Sequence, residues 1–143
     1  MRRQLILMRH GHAEESRDDY ARRLTDAGRS AARRAGEALA RSGFSPQRIV
    51  SSPAPRALET AALVAEACGD TGAVEIDDTL YLAEEGAYLA ALRSLSVNLE
   101  RVVLVGHNPT LSALAHKLGE GSVELRPAEY VHLSLELDDW LEL

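Results

Sequence analysis

The sequence predicts an α/β fold: a three-layer sandwich in which a mostly parallel sheet carries helices on both faces. Three observations predict it. The runs Leu5-Ile6-Leu7-Met8 and Val102-Val103-Leu104-Val105 are apolar throughout, which suits a strand buried on both sides of a parallel sheet and not an amphipathic helix face. Strand-like and helix-like stretches alternate along the chain as β-α-β-α-β-α-β-α-β, the order of a parallel sheet wound with helices on both faces. The final stretch, Tyr130-Val131-His132-Leu133-Ser134-Leu135-Glu136-Leu137, alternates apolar with polar residues. That period belongs to a half-exposed strand, expected as an antiparallel strand at the sheet's edge.

Taken in order, residues 5–8 form the first strand and deliver Arg9 and His10 at its carboxyl end. Residues 12–23 form a long polar loop holding Glu14-Glu15 and Asp18-Asp19; both aspartates are expected to be solvated. Thr25 caps the first helix, and Asp26 complements the positive end of its dipole. Ala31, Ala35, Ala38 and Leu39 share its core face, Gly43 ends it, and Pro46 prevents its resumption. Residues 48–51 are the second strand. Ser52-Pro53 then reads as an N-cap followed by proline at the first helical position, and the helix runs to about Cys68. Gly69 and Gly72 bracket a turn before the short strand Val74-Glu75-Ile76. Residues 77–86 are irregular and acidic, and Tyr88, Leu92 and Leu95 mark the next helix face. The second buried strand brings His107 to its carboxyl end. Pro109 opens a helix with core face Leu111, Leu114, Ala115 and Leu118, stopped by Gly119 and Gly121.

Bulk properties narrow the classes. At 143 residues, 45% hydrophobic and 27% charged, the chain is expected to be a single domain, 1–143. The net charge of −6 and the lack of a gathered basic patch exclude nucleic acid as an expected partner. Arg22-Arg23 and Arg33-Arg34 read as solvated pairs. The apolar run after Arg2-Arg3 is too short for a signal peptide or a membrane span, so the expectation is cytoplasmic with no membrane partner. Cys68 is the one cysteine, which rules out an internal disulfide and reads as a buried helical thiol.

Parallel strands all point their carboxyl ends one way, so Arg9-His10, the Ser52-Pro53-Ala54-Pro55-Arg56 turn and His107-Asn108 converge at the edge where open α/β sheets bind ligands. The residue types there suit a phosphoryl group. Arg9 and Arg56 offer planar forks that bind two oxygens and stay charged. Arg56 also lies near a helix N-terminus, where free N–H groups favour an anion. Neutral histidine has the lone pair of a nucleophile, which is the role expected of His10, kept neutral by its arginine neighbours. His107 would donate to the phosphoryl oxygens instead. Gly11 allows a tight turn or close approach to a ligand. Gly11, Asn108 and Arg22 are the candidate substrate-binding residues; Asn108 is equally suited to capping the next helix, and His12 and Arg22 to the pocket rim. His132 falls on a polar strand face and reads as a surface residue.

Four blocks of residues carry a family resemblance. Arg9-His10-Gly11, Leu24-Thr25-x-x-Gly28, Ser51-Ser52-Pro53-x-x-Arg56-x-x-x-Thr60 and Gly106-His107-Asn108 resemble the histidine phosphatase superfamily, in its order and across most of the chain. The short length most resembles its SixA-type phosphohistidine phosphatase branch. The resemblance implies a phosphoglycerate-mutase-like fold and a covalent phosphohistidine at His10 that water hydrolyses. It also implies Arg9, Arg56 and His107 lining the phosphate pocket, with no metal and no cofactor. Larger members supply an acid from the loop before the third main helix; Glu84 or Glu85 is the candidate here, at a spacing that matches poorly. Imidazole leaves more easily than an alkoxide, so a weak acid signal favours phosphohistidine in a protein as substrate. The other readings are a small-molecule phosphomonoesterase, a non-catalytic phosphate-binding protein, and a metallohydrolase using His10, His12 and His107. Two fixed cations, Arg9 and Arg56, oppose the last.

Overall fold

The computed structural model describes residues 1–70 and 73–143, without the side chain of Glu120. Five strands and four helices alternate: β1 (Arg2–Arg9), α1 (Asp26–Arg41), β2 (Arg48–Ser51), α2 (Pro55–Ala67), β3 (Ala73–Ile76), α3 (Glu85–Arg93), β4 (Arg101–Gly106), α4 (Thr110–Ala115) and β5 (Tyr130–Glu136). The strands make one sheet in the order β3-β2-β4-β1-β5. β1, β2, β3 and β4 are mutually parallel where they pair, and β5 runs antiparallel to β1 at the edge. The sandwich and its antiparallel edge strand are as the sequence predicts.

The buried strands show why both faces are apolar. Leu5 and Leu7 of β1, with Val102 and Leu104 of β4, pack against Tyr88 and Leu92 of α3 and Leu111 and Leu114 of α4. Ile6, Met8, Val103 and Val105 point the other way, onto Leu39 of α1 and Ala57, Ala61 and Val64 of α2. One strand therefore feeds two cores with a period of two.

Four expectations shift. β1 begins at Arg2, because residues 2–4 pair with residues 134–136 of β5. Arg3 is fully buried there, and its guanidinium donates to the carbonyls of Val97, Leu99 and Asp138. In α1 the buried stripe is Gly28, Ala32, Gly36 and Leu39, with Ala31, Ala35 and Ala38 flanking it half-buried. Gly36 sets this rotation, since a Cβ there would meet the Ala67 Cβ at 2.8 Å, so α1 and α2 pack backbone to backbone. α2 starts at Pro55, two residues later than expected, with Pro55 at the first position and Ala54 as cap. The Ser52 hydroxyl is engaged by the Ala54 N–H and the His107 ring instead of capping deeper in the helix. Cys68 sits half-buried at the end of α2, its thiol facing the Gly36 carbonyl at 3.8 Å.

Thr25 caps α1 as expected, accepting from the Gly28 N–H. Residues 77–86 hold one 3₁₀ turn, Asp78–Leu80, before α3. α4 ends in a wide turn over His116–Glu120, closed where Gly119 takes φ +118°, a conformation that glycine reaches without strain. Gly72 lies outside the described residues.

Candidate active site

Register places the two histidines. β1 and β4 are adjacent and parallel, with Arg9 opposite Gly106, so the next residues, His10 and His107, emerge side by side. The His10 N–H donates to the Gly106 carbonyl at 3.2 Å, and the ring centroids lie 5.1 Å apart. Thr60 fastens α2 to this strand end. Its hydroxyl accepts from the Gly11 N–H and donates to the Arg56 carbonyl. Arg56, on the first turn of α2, is thereby carried to His10.

These side chains meet in a cleft of about 450 Å³ whose lining includes Arg9, His10, Arg22, Arg56, His107 and Asn108. A shallower groove of about 530 Å³ lies beside α1, between Ala31 and Tyr130; the paired histidines and Arg56 line the cleft and not this groove.

The tautomer of His10 follows from its neighbours. Nδ1 lies 2.7 Å from the Gly11 carbonyl, which can only accept, so Nδ1 carries the proton. The Nε–H of Arg56 points at Nε2 from 3.4 Å, and Nε2 therefore presents its lone pair. Burial, first of all, and then the charges of Arg56, Arg9 and Arg22 push the His10 pKa down to about 4, against the Gly11 bond, which raises it. The arginines expected to keep His10 neutral do so as the second cause.

His107 is held by both its backbone and its ring. Its N–H donates to the Tyr88 hydroxyl at 3.0 Å, and Nε2 is hydrogen bonded to Ser52 Oγ at 2.7 Å. Burial and then the His10 and Arg56 neighbours lower its pKa to about 3, so the ring is neutral.

The remaining expectations divide. Arg22 lines the cleft and pairs with Asp19 at 3.2 Å. Asn108 lines it too, but its amide is committed to the fold: Oδ1 accepts from the Ser112 N–H and hydroxyl, and Nδ2 donates to the Leu125 carbonyl. Gly11 makes its close approach to the α1 backbone, where a Cβ would lie 2.8 Å from the Gly28 carbonyl oxygen, and not to the cleft. His12 turns to the Thr25 hydroxyl and does not join His10 and His107. His132 is on the surface, bonded to Gln4. Glu84 and Glu85 lie outside the cleft lining, and Glu85 pairs with Lys117 at 3.6 Å.

Asp19 is exposed, as expected, and also lines the cleft. Its backbone carbonyl accepts from Arg56 Nη1 at 2.7 Å, and its carboxylate from Arg56 Nη2 at 3.1 Å and from the Tyr81 hydroxyl at 2.7 Å. The Tyr81 hydrogen bond foremost, with Arg22 and Arg56, lowers its pKa to about 2. Ser52 and Tyr81 were likewise outside the expected site. Ser52 sits inside a motif that reads as a helix cap, and Tyr81 is a lone aromatic in an acidic stretch; Asp19 has no signal beyond its loop.

Two neutral histidines facing guanidinium groups at a sheet's carboxyl edge suit a phosphatase, a hydrolase that grips a phosphoryl group by charge. The chain belongs to the histidine phosphatase superfamily (branch 1), whose model matches residues 5–88. Its fold is similar to that of a SixA from Nakamurella multipartitia, at 26% identity and a TM-score of 0.86, over 99% of this chain and 89% of that one. It is also similar to a protein histidine phosphatase SixA complexed with tungstate, at 25% identity and TM-score 0.82, over 90% and 86% of the two chains. A mycobacterial glucosyl-3-phosphoglycerate phosphatase shares the fold at 20% identity and TM-score 0.67, over 98% of this chain and 94% of that one. No curated protein matches the sequence.

Proposed function

We propose that residues 1–143 act as one domain, a cytoplasmic, metal-independent phosphatase that removes phosphate from phosphohistidine in a protein by way of a covalent phosphohistidine at His10. The observation that supports it most is the His10 tautomer, with Nδ1–H bound to Gly11 and the Nε2 lone pair beside Arg56. Nε2 attacks phosphorus, the substrate's P–N bond breaks, and its electron pair goes to the departing ring. That ring already holds a proton on its other nitrogen, so it leaves as neutral imidazole. Water then attacks the phosphorus on His10, the new P–N bond breaks, and inorganic phosphate leaves while the water's proton passes to solvent. Arg9, Arg56 and His107 hold the peripheral oxygens, where charge accumulates. A bound dianion raises the His107 pKa and turns that ring into a charged donor.

The cleft supports a phosphoramidate over an ester. Among the described residues Asp19 is the one carboxylate lining it, and Asp19 is ionised between Arg56, Arg22 and Tyr81. An alkoxide leaving group would need a proton that this carboxylate does not hold; imidazole does not need it.

Rapid quench with ³²P-labelled phosphohistidine peptide, and separately with a labelled sugar phosphate, tests the reading. Label on the wild-type chain and none on His10→Ala is expected, faster from the peptide and unaffected by a strong chelator. Faster labelling from the sugar phosphate would favour a small-molecule phosphomonoesterase, and loss in chelator a metallohydrolase.

A further inference from the structure

We propose that Asp19 is a specificity-determining residue, whose carboxylate selects phosphoryl donors with a cationic leaving group over those with a neutral or anionic one. The inference rests on the phosphatase reading of the cleft and names a determinant within it.

Three facts place the charge. The carboxylate is fixed by Arg56 Nη2, by the Tyr81 hydroxyl and by Arg22 Nη1 at 3.2 Å. It cannot swing away without breaking those bonds. His10 is 8% exposed at the base of the cleft, whereas the Asp19 side chain is 51% exposed. In-line attack from Nε2 sends the leaving group away from His10, and Asp19 lines the same cleft nearer to solvent. Finally, Arg56 is shared: its two Nη groups are taken by Asp19, while Nε faces His10. Asp19 is thus tied to the same guanidinium that faces the nucleophile.

The consequence is electrostatic. A phosphorylated histidine ring that holds a proton on its other nitrogen is a cation until the P–N bond breaks, so a nearby carboxylate attracts it. A departing phenolate or alkoxide gains negative charge as its P–O bond breaks, so the same carboxylate repels it. Partial exposure of Asp19 screens the effect to roughly one pKa unit's worth, or about tenfold in rate.

The experiment measures kcat/KM for a phosphohistidine peptide and for p-nitrophenyl phosphate in the wild-type chain, Asp19→Asn and Asp19→Glu. Asparagine keeps an oxygen for Arg56 and Tyr81 but loses the charge. The peptide-to-ester ratio is expected to fall about tenfold in Asp19→Asn and to hold in Asp19→Glu. An unchanged ratio, with both substrates losing equally, would reduce Asp19 to an anchor for Arg56 and overturn the proposal. A second measurement needs no variant: aminomethylphosphonate, a cation beyond its phosphonate, is expected to inhibit the wild-type chain more tightly than hydroxymethylphosphonate. Equal inhibition overturns the proposal as well. If His10→Ala retains activity on both substrates, the phosphatase reading of the cleft fails instead, and the two failures are distinct.

Discussion

The proposed nucleophile must meet the substrate unprotonated, and His10 is kept so by burial more than by neighbouring charge. Folding lowers its pKa from 6.5 to about 4 and that of His107 from 6.5 to about 3. The unfolded chain therefore binds these protons first as pH falls. Stability from the pair is complete above pH 6.5 and is lost as pH drops toward the folded values, because the unfolded state then holds more protons than the native one. Between pH 7 and pH 4.5, His10 alone accounts for a loss on the order of 2 kcal/mol. Urea midpoints across that range are expected to fall more steeply for the wild-type chain than for His10→Asn; parallel slopes would mean that His10 titrates normally. The acid limb of kcat/KM on p-nitrophenyl phosphate should likewise lie well below pH 6.5. His10, Arg9, Arg56 and His107 were legible in the sequence because each ends an apolar run or sits in a tight motif. Asp19 was not, because its partners Arg56 and Tyr81 come from segments 37 and 62 residues away. Only the fold brings them together, so the loop alone reads as an ordinary solvated acidic pair.

At the level of elements, the cleft depends on how closely α1 is pulled against the end of β1. Gly11 and Gly28 meet there backbone to backbone, and a Cβ on Gly28 would lie 2.1 Å from the His12 carbonyl oxygen. That oxygen also accepts from the Thr25 N–H, so the contact fixes both the α1 cap and the strand end that carries His10. Gly28→Ala sets two effects against each other. Alanine favours a helix by about 1 kcal/mol over glycine, but the clash is with backbone, which cannot rotate away, and overpacking of this kind costs roughly 1–3 kcal/mol or more. The clash wins. Gly28→Ala is expected to lower the melting temperature and to reduce kcat/KM through displaced His10, whereas Gly86→Ala, which meets nothing within 4 Å, should do neither. A Gly28→Ala chain as stable and active as the wild type would mean that the helix can slide. The α1 cap could be read from Thr25 and Asp26 alone. The rotation of its buried face could not, since local preference puts alanine and not glycine in a buried helix stripe, and the choice of Gly36 is made by contact with α2.

Across the whole molecule the charge is unevenly spent. The chain carries a net charge of −6, yet its cleft is lined by Arg9, Arg22 and Arg56 against Asp19. Like charges held together in a partly enclosed site oppose folding, and an anion bound among them relieves that opposition. Stability should therefore be linked to occupancy: a ligand at a hundred times its dissociation constant adds about 2.7 kcal/mol to the native state. For a chain of 143 residues that corresponds to a rise in melting temperature of roughly 5–10 °C. Inorganic phosphate or tungstate is expected to produce it in the wild-type chain, with sulfate of matched ionic strength as the control for general salt effects. Arg56→Ala should lose the rise, and its melting temperature without anion is expected to fall, because the buried guanidinium is bonded to the Asp19 carbonyl and carboxylate and its loss outweighs the relief among the remaining cations. The anion-induced rise is therefore compared within each chain. An equal anion-induced rise in Arg56→Ala would place the bound anion elsewhere on the surface, and the convergence of β1, α2 and β4 on one phosphoryl group would no longer explain why this edge of the sheet is cationic.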